Sequence, residues 1–453
     1  MKPIGKLTRS KIGFADLYLE RYGSGPVKDL PEPDPDLFLI VTIPAFKEPG
    51  LAGSLNSLLE CQPPGVKWEI IVNINFPEHS TADVVETSRK SLSEARLISE
   101  SLSRDDVRIH CLWNPDMPAR HAGVGLARKI AMDQAVQRFN SIGRKDGLML
   151  SFDADSLCEP DFLKKITEFY IRHESARTAN IYFEHPLSGA EDKRIYHSIA
   201  QYELYLRYMR LALEATGHPH SIHTVGSSFS LRVRTYIRVN GMGRDKAGED
   251  FYFLHKCILL RNLWEINETV VYPSSRESDR VSFGTGASVT RQIQNEDVLN
   301  VYCLESFEPL KELFGRVSEY WQNPGLQTDN RQPITDNAQP ITDNRQPDVE
   351  WEKISIGLAE FLRSKNAGIR IREMHRDSAS ESTFRDKFFA WFNGFMVLKY
   401  LNETHKKYYT KSPVLVEASK LAGMVGIPEA DSVVRLLESY REYEKGRGNR
   451  KII

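Results

Sequence analysis

The sequence predicts an α/β protein: a mostly parallel, twisted sheet flanked by helices, followed by a small all-helical C-terminal domain. Three observations carry that expectation. Apolar runs of strand length recur from Leu37 to Pro44, Trp68 to Asn75, Val107 to Trp113 and Gly147 to Asp153, and the first is nearly continuous, as parallel strands covered on both faces are. A helical pattern follows each run, the alternation that builds right-handed βαβ units. Beyond residue 350 the apolar spacing is helical and carries no strand signal.

Taken in order, residues 1–36 form an N-terminal extension, proline- and acid-rich at Pro31–Asp36, expected to wrap on the surface. The first strand breaks at Pro44-Ala45-Phe46-Lys47-Glu48-Pro49-Gly50, and a helix runs to about Cys61. The second strand leads into a long helix ending near Ser103. After the third strand, Gly123-Val124-Gly125 opens a helix reaching about Phe139. The fourth strand ends at Asp153. Further strands are expected at Thr178–Phe183, Thr224–Leu231 and Leu263–Tyr272, with helices at Asp192–Ala215, from Gly248, and from Asn295 to Trp321. A polar segment, Thr328–Asp348, repeats every seven residues with a proline in each copy, which forbids a continuous helix. The expected division is therefore 37–321 for the α/β domain, 322–349 for a linker, and 350–453 for a helical domain suited to homo-oligomerisation or to shaping an acceptor site.

Composition narrows the function. Lys+Arg 60 against Asp+Glu 61 leaves a net charge of -1, which gives no electrostatic case for nucleic acid or an anionic membrane. The five cysteines include no C-x-x-C pair and read as reduced thiols. The first residues lack the apolar core of a signal peptide, and no apolar run suffices for a transmembrane segment. A cytoplasmic protein is the expectation.

The chemistry centres on Asp153 and Asp155. Strand residues two apart point to one side, so both carboxylates converge at a strand's carboxyl end, where open α/β sheets place ligands. Hard oxygens there suit Mn²⁺ or Mg²⁺ sharing phosphate oxygens; the alternative is that they merely cap the next helix. A calcium-loop reading fails, because Leu157 and Cys158 stand where it needs an oxygen ligand and a glycine. Gly123-x-Gly125 has Arg128 where a dinucleotide fingerprint needs a third small residue, and neither a phosphate-loop nor a nucleophile-elbow motif occurs. His218, His220 and His223 invite a zinc reading that no cysteine or H-E-x-x-H supports. His220, His223, Gly226 and Ser227 remain acceptor-pocket candidates. The stretch Arg276–Gly286 joins two arginines to a glycine-flanked loop, either an ordinary surface loop or one whose Arg280, Gly284 and Gly286 meet a diphosphate.

Four features accompany the Asp-x-Asp in a fixed order: Pro44–Glu48 after the first strand, Asn73 and Asn75 ending the second, Ala127-Arg128-Lys129 in the third helix, and Glu249-Asp250 later. In this order the chain resembles the family 2 glycosyltransferases of the GT-A fold over about residues 37–290. The resemblance implies a nucleoside-diphosphate sugar donor, with Pro44, Ala45, Lys47, Glu48, Asn73 and Asn75 around base and ribose and Arg128 beside the nucleotide. It implies Asp153 on the ribose and metal, Asp155 on the metal, and Asp250, with Glu249 beside it, as the base that deprotonates an acceptor hydroxyl, with inversion. Phe46 and Lys47 replace the family's usual Tyr-Asn, Asn73 and Asn75 its aspartates, and Lys129 its Asn, so the donor base stays open. The acceptor, a saccharide or a lipid-linked saccharide, is equally open. Two alternatives stand: a nucleotidyltransferase acting on a sugar phosphate, and a degenerate nucleotide-binding module.

Overall fold

The computed structural model describes residues 13–25, 30–276, 285–295, 298–322 and 351–453. Arg280, Gly284 and the heptapeptide repeat lie outside them. The chain divides into two compact units, Met1–Ile199 with Thr224–Asn295 and Arg441–Ile453, and Ala200–His223 with Glu296–Tyr440. The first boundary differs from the expected one at 321/350. The helix Lys193–Ala215 contributes residues to both units, and the last thirteen residues return to the first.

The first unit is α/β. Strands β1 (Leu37–Ala45), β2 (Lys67–Pro77), β3 (Val107–Met117) and β4 (Leu148–Ser151) pair in parallel in the order β3-β2-β1-β4. Burial is complete or nearly so along β1 and β2, as their unbroken apolar runs require. Helices α2 (Leu51–Leu59), α3 (Ala82–Ser101) and α4 (Val124–Ser141) make the crossovers. Then come β5 (Leu157–Cys158), α5 (Phe162–Arg172), β6 (Thr178–Phe183), α6 (Lys193–Ala215), β7 (Phe229–Arg232), α7 (Val233–Arg238), α8 (Glu249–Ile258), β8 (Leu263–Tyr272) and α9 (Thr285–Asn295). Strand β7 runs antiparallel between β4 and β6, and β6 is parallel to β8. Since β7 reverses direction against both neighbours, β8 ends at the same sheet edge as β1, β2 and β4, while β7 begins there. β5 pairs with the last residues of β8 (Leu157↔Tyr272, Cys158↔Val271). β7 starts at Phe229, five residues later than the apolar pattern suggests; Thr224–Ser228 form an entry loop, closed by the Ser228 N–H on the Val225 carbonyl at 3.0 Å.

The N-terminal extension does more than wrap. Helix α1 (Asp16–Tyr22) buries Tyr18, whose hydroxyl donates to Asp133 Oδ1 on α4 at 2.7 Å, while Lys129 Nζ bonds Asp133 Oδ2 at 2.9 Å. Lys129 therefore serves α4's own anchoring.

The second unit is helical, with a two-residue β pair, β9 (Asn300–Val301) against β10 (Ser412–Pro413). Its helices include Glu308–Gly315, Ile356–Ser364, Ala367–Arg376, Glu381–Trp391, Gly394–Thr404 and Val414–Val425. Ser355, Ser380 and Asn393 cap three of them through their side-chain oxygens. Phe314, Phe361, Phe388, Phe389 and Phe392 form its aromatic core. Back in the first unit, β11 (Arg450–Lys451) pairs antiparallel with β8, an edge strand too short to leave a sequence signal. No helix among the described residues is long and apolar enough to cross a membrane.

Candidate active site

The candidate residues gather at the shared edge of β1, β4 and β8. Asp153 follows β4, and the Phe152 N–H still bonds the Thr42 carbonyl of β1 at 3.1 Å, so the strand holds almost to the carboxylate. The Ser156 N–H closes a turn on the Asp153 carbonyl at 3.1 Å, which carries Asp155 around toward β5. β5 is fixed from two sides: it pairs with β8, and the Cys158 N–H donates to Ser57 Oγ of α2 at 3.0 Å. Cys61 and Cys158 are free thiols with their sulfurs 3.6 Å apart.

Arg128 organises the site from beneath. It is 2 % exposed, in the second turn of α4. Its Nη2 bonds Asp153 Oδ1 at 2.9 Å, its Nε bonds Glu249 Oε1 at 3.2 Å, and its Nη1 reaches Ser151 Oγ at 2.6 Å and the Gly226 carbonyl at 3.1 Å. One guanidinium thus ties the Asp-x-Asp strand, the Glu-Asp helix and the loop before β7. Burial opposes its charge, but Asp153 and Glu249 outweigh that and hold it protonated. Buried Arg128 thus faces carboxylates, among them Asp153.

Three glycines allow these approaches. A Cβ on Gly125 would lie 2.2 Å from the Asp245 carbonyl oxygen, and one on Gly123 would lie 2.6 Å from Lys246 Cα. The Gly-Val-Gly start of α4 therefore receives the loop that leads into α8. A Cβ on Gly226 would lie 2.6 Å from Arg128 Nη2 and 3.5 Å from Asp153 Oδ2. Gly226 is small for the arginine's sake, and Ser227 beside it is fully buried.

Glu249 and Asp250 open α8 behind Gly248, which adopts a left-handed conformation (φ 72). Glu249 is buried on Arg128; Asp250 is half-buried. Burial and the neighbouring Glu249 carboxylate push the Asp250 carboxyl up to about 8, against the pull of Arg128. Burial likewise raises Glu249, with Arg128 opposing. A carboxylate with a raised pKa is a stronger base, poised near neutral pH.

The first-strand turn contributes a second guanidinium–carboxylate group. Glu48 is buried; its Oε1 accepts the Gly50 N–H at 2.9 Å and its Oε2 pairs with Arg276 Nη2. The same Nη2 bonds Asp155 Oδ2 at 2.8 Å. Arg276, four residues past the end of β8, is a functional candidate that sequence reasoning noticed only as part of a basic loop. Lys47 takes a left-handed backbone (φ 45), unusual for a side-chain-bearing residue, and its Nζ lies 2.8 Å from Asp83 Oδ2. Pro44 and Ala45 are buried at the end of β1; Pro44 lies past the last β1–β4 pair, Thr42↔Ser151.

Asn73 and Asn75 do share a face, but sheet and helix consume their amides. Asn73 Nδ2 donates to the Ala127 carbonyl at 2.8 Å and its Oδ1 accepts Asn114 Nδ2 at 2.6 Å. Asn75 Nδ2 donates to the carbonyls of Ala45 (3.3 Å) and Asn73 (3.1 Å). Asn73 is fully buried and braces α4. His220 and His223 belong to the second unit. There His218 Nε2 lies 2.8 Å from the Phe392 carbonyl and His218 Nδ1 accepts the His220 N–H at 3.1 Å. Gly286 sits in the first turn of α9.

The donor set fits a hard divalent cation. No cluster of three or more His, Cys, Asp or Glu that could hold a metal exists among the described residues. Asp153 and Asp155 offer two carboxylates at a strand end, which suits Mg²⁺ or Mn²⁺ completing its shell with water and phosphate oxygens. Counting Glu48, Glu249 and Asp250, the described residues here carry five carboxyl groups against the two guanidiniums of Arg128 and Arg276. A diphosphate entering such a surplus requires added positive charge.

No protein-family model matches the chain, and neither does any curated protein. Among solved structures it is similar to S. aureus TarS 1-349 in complex with UDP-GlcNAc, at 15% identity and TM-score 0.36, covering 78% of this chain and 91% of that one. It is also similar to the mannosyltransferase PcManGT from Pyrobaculum calidifontis in complex with GDP-Man and Mn2+, at 12% identity and TM-score 0.31, covering 86% and 93%. At these scores the likenesses assign no residue a role; the geometry above has to do so.

Proposed function

We propose that the chain is a metal-dependent glycosyltransferase of the family 2 type, moving a sugar from a nucleoside-diphosphate sugar to an acceptor hydroxyl. The observation that carries this reading is the joining, through buried Arg128, of the Asp-x-Asp strand end to a helix start that holds a half-buried carboxyl of raised pKa. One half of that assembly suits a metal–diphosphate, the other proton abstraction.

Asp153 and Asp155 would hold a Mn²⁺ or Mg²⁺, which supplies positive charge to the departing diphosphate. Asp250 takes the proton from the acceptor oxygen as that oxygen forms its bond to the anomeric carbon and the bond to the diphosphate breaks. Attack from the face opposite the diphosphate gives inversion. Glu249, held by Arg128, keeps a negative charge beside Asp250 and so maintains its basicity. The strained Lys47 turn and buried Glu48 shape the wall that would face the nucleoside.

The test is thermal unfolding with UDP, GDP, dTDP or CDP, each with and without Mn²⁺, on wild type and Asp155→Ala. A ligand that binds only the folded state raises the melting temperature. Stabilisation by one nucleotide with Mn²⁺, lost in Asp155→Ala, supports the reading. No stabilisation at millimolar concentrations of any of the four would refute it.

A further inference from the structure

Arg276 is the group that the proposed chemistry leaves unexplained. One nitrogen, Nη2, bridges Asp155 of the Asp-x-Asp loop and Glu48 of the first-strand turn. Its partners differ. The Glu48 side chain is 1 % exposed and has a second bond to the Gly50 N–H, whereas that of Asp155 is 28 % exposed and that of Arg276 24 %. A purely structural arginine closing the end of β8 would be satisfied by Glu48. The contact to Asp155 instead places a cation on a carboxylate that the metal reading assigns to Mn²⁺ or Mg²⁺. Burial opposes the Arg276 charge and the two carboxylates more than restore it, so the group stays cationic. Arg128 is different: it is fully enclosed, and four partners fix it.

We propose that Arg276 is an exchangeable counter-cation: it competes with the divalent metal for Asp155 and, once displaced, pairs with the donor diphosphate. This rests on the glycosyl-transfer reading and adds a regulation to it. Arginine's planar fork matches phosphate oxygens as well as carboxylate, so moving from one to the other conserves charge-assisted bonds. While Arg276 occupies Asp155, the metal-competent fraction of the protein is reduced and the apparent metal affinity falls by that fraction. A diphosphate that draws Arg276 away restores it. Metal and nucleotide then favour one another's binding, by the same factor in each direction. The enzyme would hold metal firmly only when donor is present.

The experiment measures Mn²⁺ binding by the electron paramagnetic resonance signal of free Mn²⁺, with and without the nucleoside diphosphate that stabilises wild type. The full chain is used as wild type, Arg276→Gln and Arg276→Lys, with Asp155→Ala as the control for site identity. Arg276→Gln keeps a donor for Glu48, and Arg276→Lys keeps the charge should the neutral variant fold poorly. Without nucleotide, Arg276→Gln is expected to bind Mn²⁺ roughly five-fold or more tightly than wild type, the lower end of ordinary coupling. With Mn²⁺ saturating, it should bind nucleotide more weakly by a similar factor, and Arg276→Lys should fall between. Equal or weaker Mn²⁺ binding in Arg276→Gln overturns the competition. Tighter Mn²⁺ binding with unchanged nucleotide affinity overturns the transfer to diphosphate. If wild type binds none of the nucleotides, the glycosyl-transfer reading falls and the transfer step with it. The Mn²⁺ ratio of Arg276→Gln to wild type still decides separately whether Arg276 guards Asp155.

Discussion

Replacing Arg128 by methionine tests the keystone of the site. The substitution keeps an unbranched apolar stem in α4 and removes the guanidinium. It strands two carboxylates that the arginine neutralises, Asp153 at 2.9 Å and Glu249 at 3.2 Å, while the Gly226 carbonyl loses one donor and keeps Ser151 Oγ at 2.7 Å. Removing one partner of a buried ion pair costs about 3–5 kcal/mol, because the surviving charge is uncompensated. At roughly 2 °C per kcal/mol for a unit of this size, the melting temperature should fall by about 6–10 °C at pH 8. The sign of the pH dependence is also fixed. Glu249 already has a raised pKa from burial, and losing Arg128 raises it further. Protonation removes the stranded charge, so the deficit relative to wild type should shrink as the pH falls from 8 to 5. Thermal unfolding followed by circular dichroism at both pH values checks it. A deficit below about 2 °C, or one that does not change with pH, would refute the claim that this network holds the two halves of the site together.

Asp250→Asn should retain nucleotide binding yet lose transfer by about 10²–10⁴-fold, the usual worth of a positioned base, measured as sugar transfer under single-turnover conditions. Because a raised carboxyl pKa means that the folded state binds the extra proton, Asp250 costs stability as pH rises from its ordinary 3.8 toward about 8. Asp250→Asn removes that slope, and its melting temperature relative to wild type should climb between pH 5 and pH 8. Transfer by wild type should itself rise with pH across the neutral range as Asp250 loses its proton; a flat profile would count against Asp250 as the base. Gly125→Ala drives a Cβ to 2.2 Å from a backbone oxygen and should lower the melting temperature sharply. Gly53→Ala, in α2 with nothing within 4 Å of the added carbon, should be neutral or stabilising by up to about 1 kcal/mol. Equal behaviour of the two alanines would contradict the close packing of α4 on the Asp245–Glu249 loop.

Much of the fold's first half is legible in sequence because it rests on local signals. The strands β1 to β3 lie within a few residues of their apolar runs, and α4 starts within Gly-Val-Gly, at Val124. The Asp153/Asp155 pair is legible as a motif, but β4 ends at Ser151 and the two residues lie in the turn after it, so strand alternation does not set where their carboxylates go. What fails is information carried by the opposite wall. Asn73 and Asn75 do share a face, but a parallel strand buried on both sides gives no sign of which face meets solvent and which meets a helix. The Asn73 amide goes to α4, and that of Asn75 to carbonyls of β1 and β2. Gly226 and Ser227 look like a ligand strand by their smallness, and the neighbour that demands a small residue turns out to be a protein guanidinium. The C-terminal boundary is hidden in the same way, because a two-residue strand such as β11 leaves no periodic trace.

Arg276 shows why the site itself is harder to read than its motifs. Its sequence distance from Asp155 is 121 residues, and the contact exists because β5 folds back onto the end of β8. Neither a two-residue strand nor its partner register can be inferred from periodicity. Chemistry narrows the choice once the register is known. A site with five carboxyl groups would repel the diphosphate of the proposed donor unless a cation met it. Arg128 cannot leave without stranding buried Glu249 and taking from Asp153 its 2.9 Å partner. Arg276 can leave Asp155, because a divalent cation arriving there replaces the charge that it removes. In this proposal the two arginines divide the work: the enclosed one fixes carboxylates in place, and the partly exposed one exchanges partners.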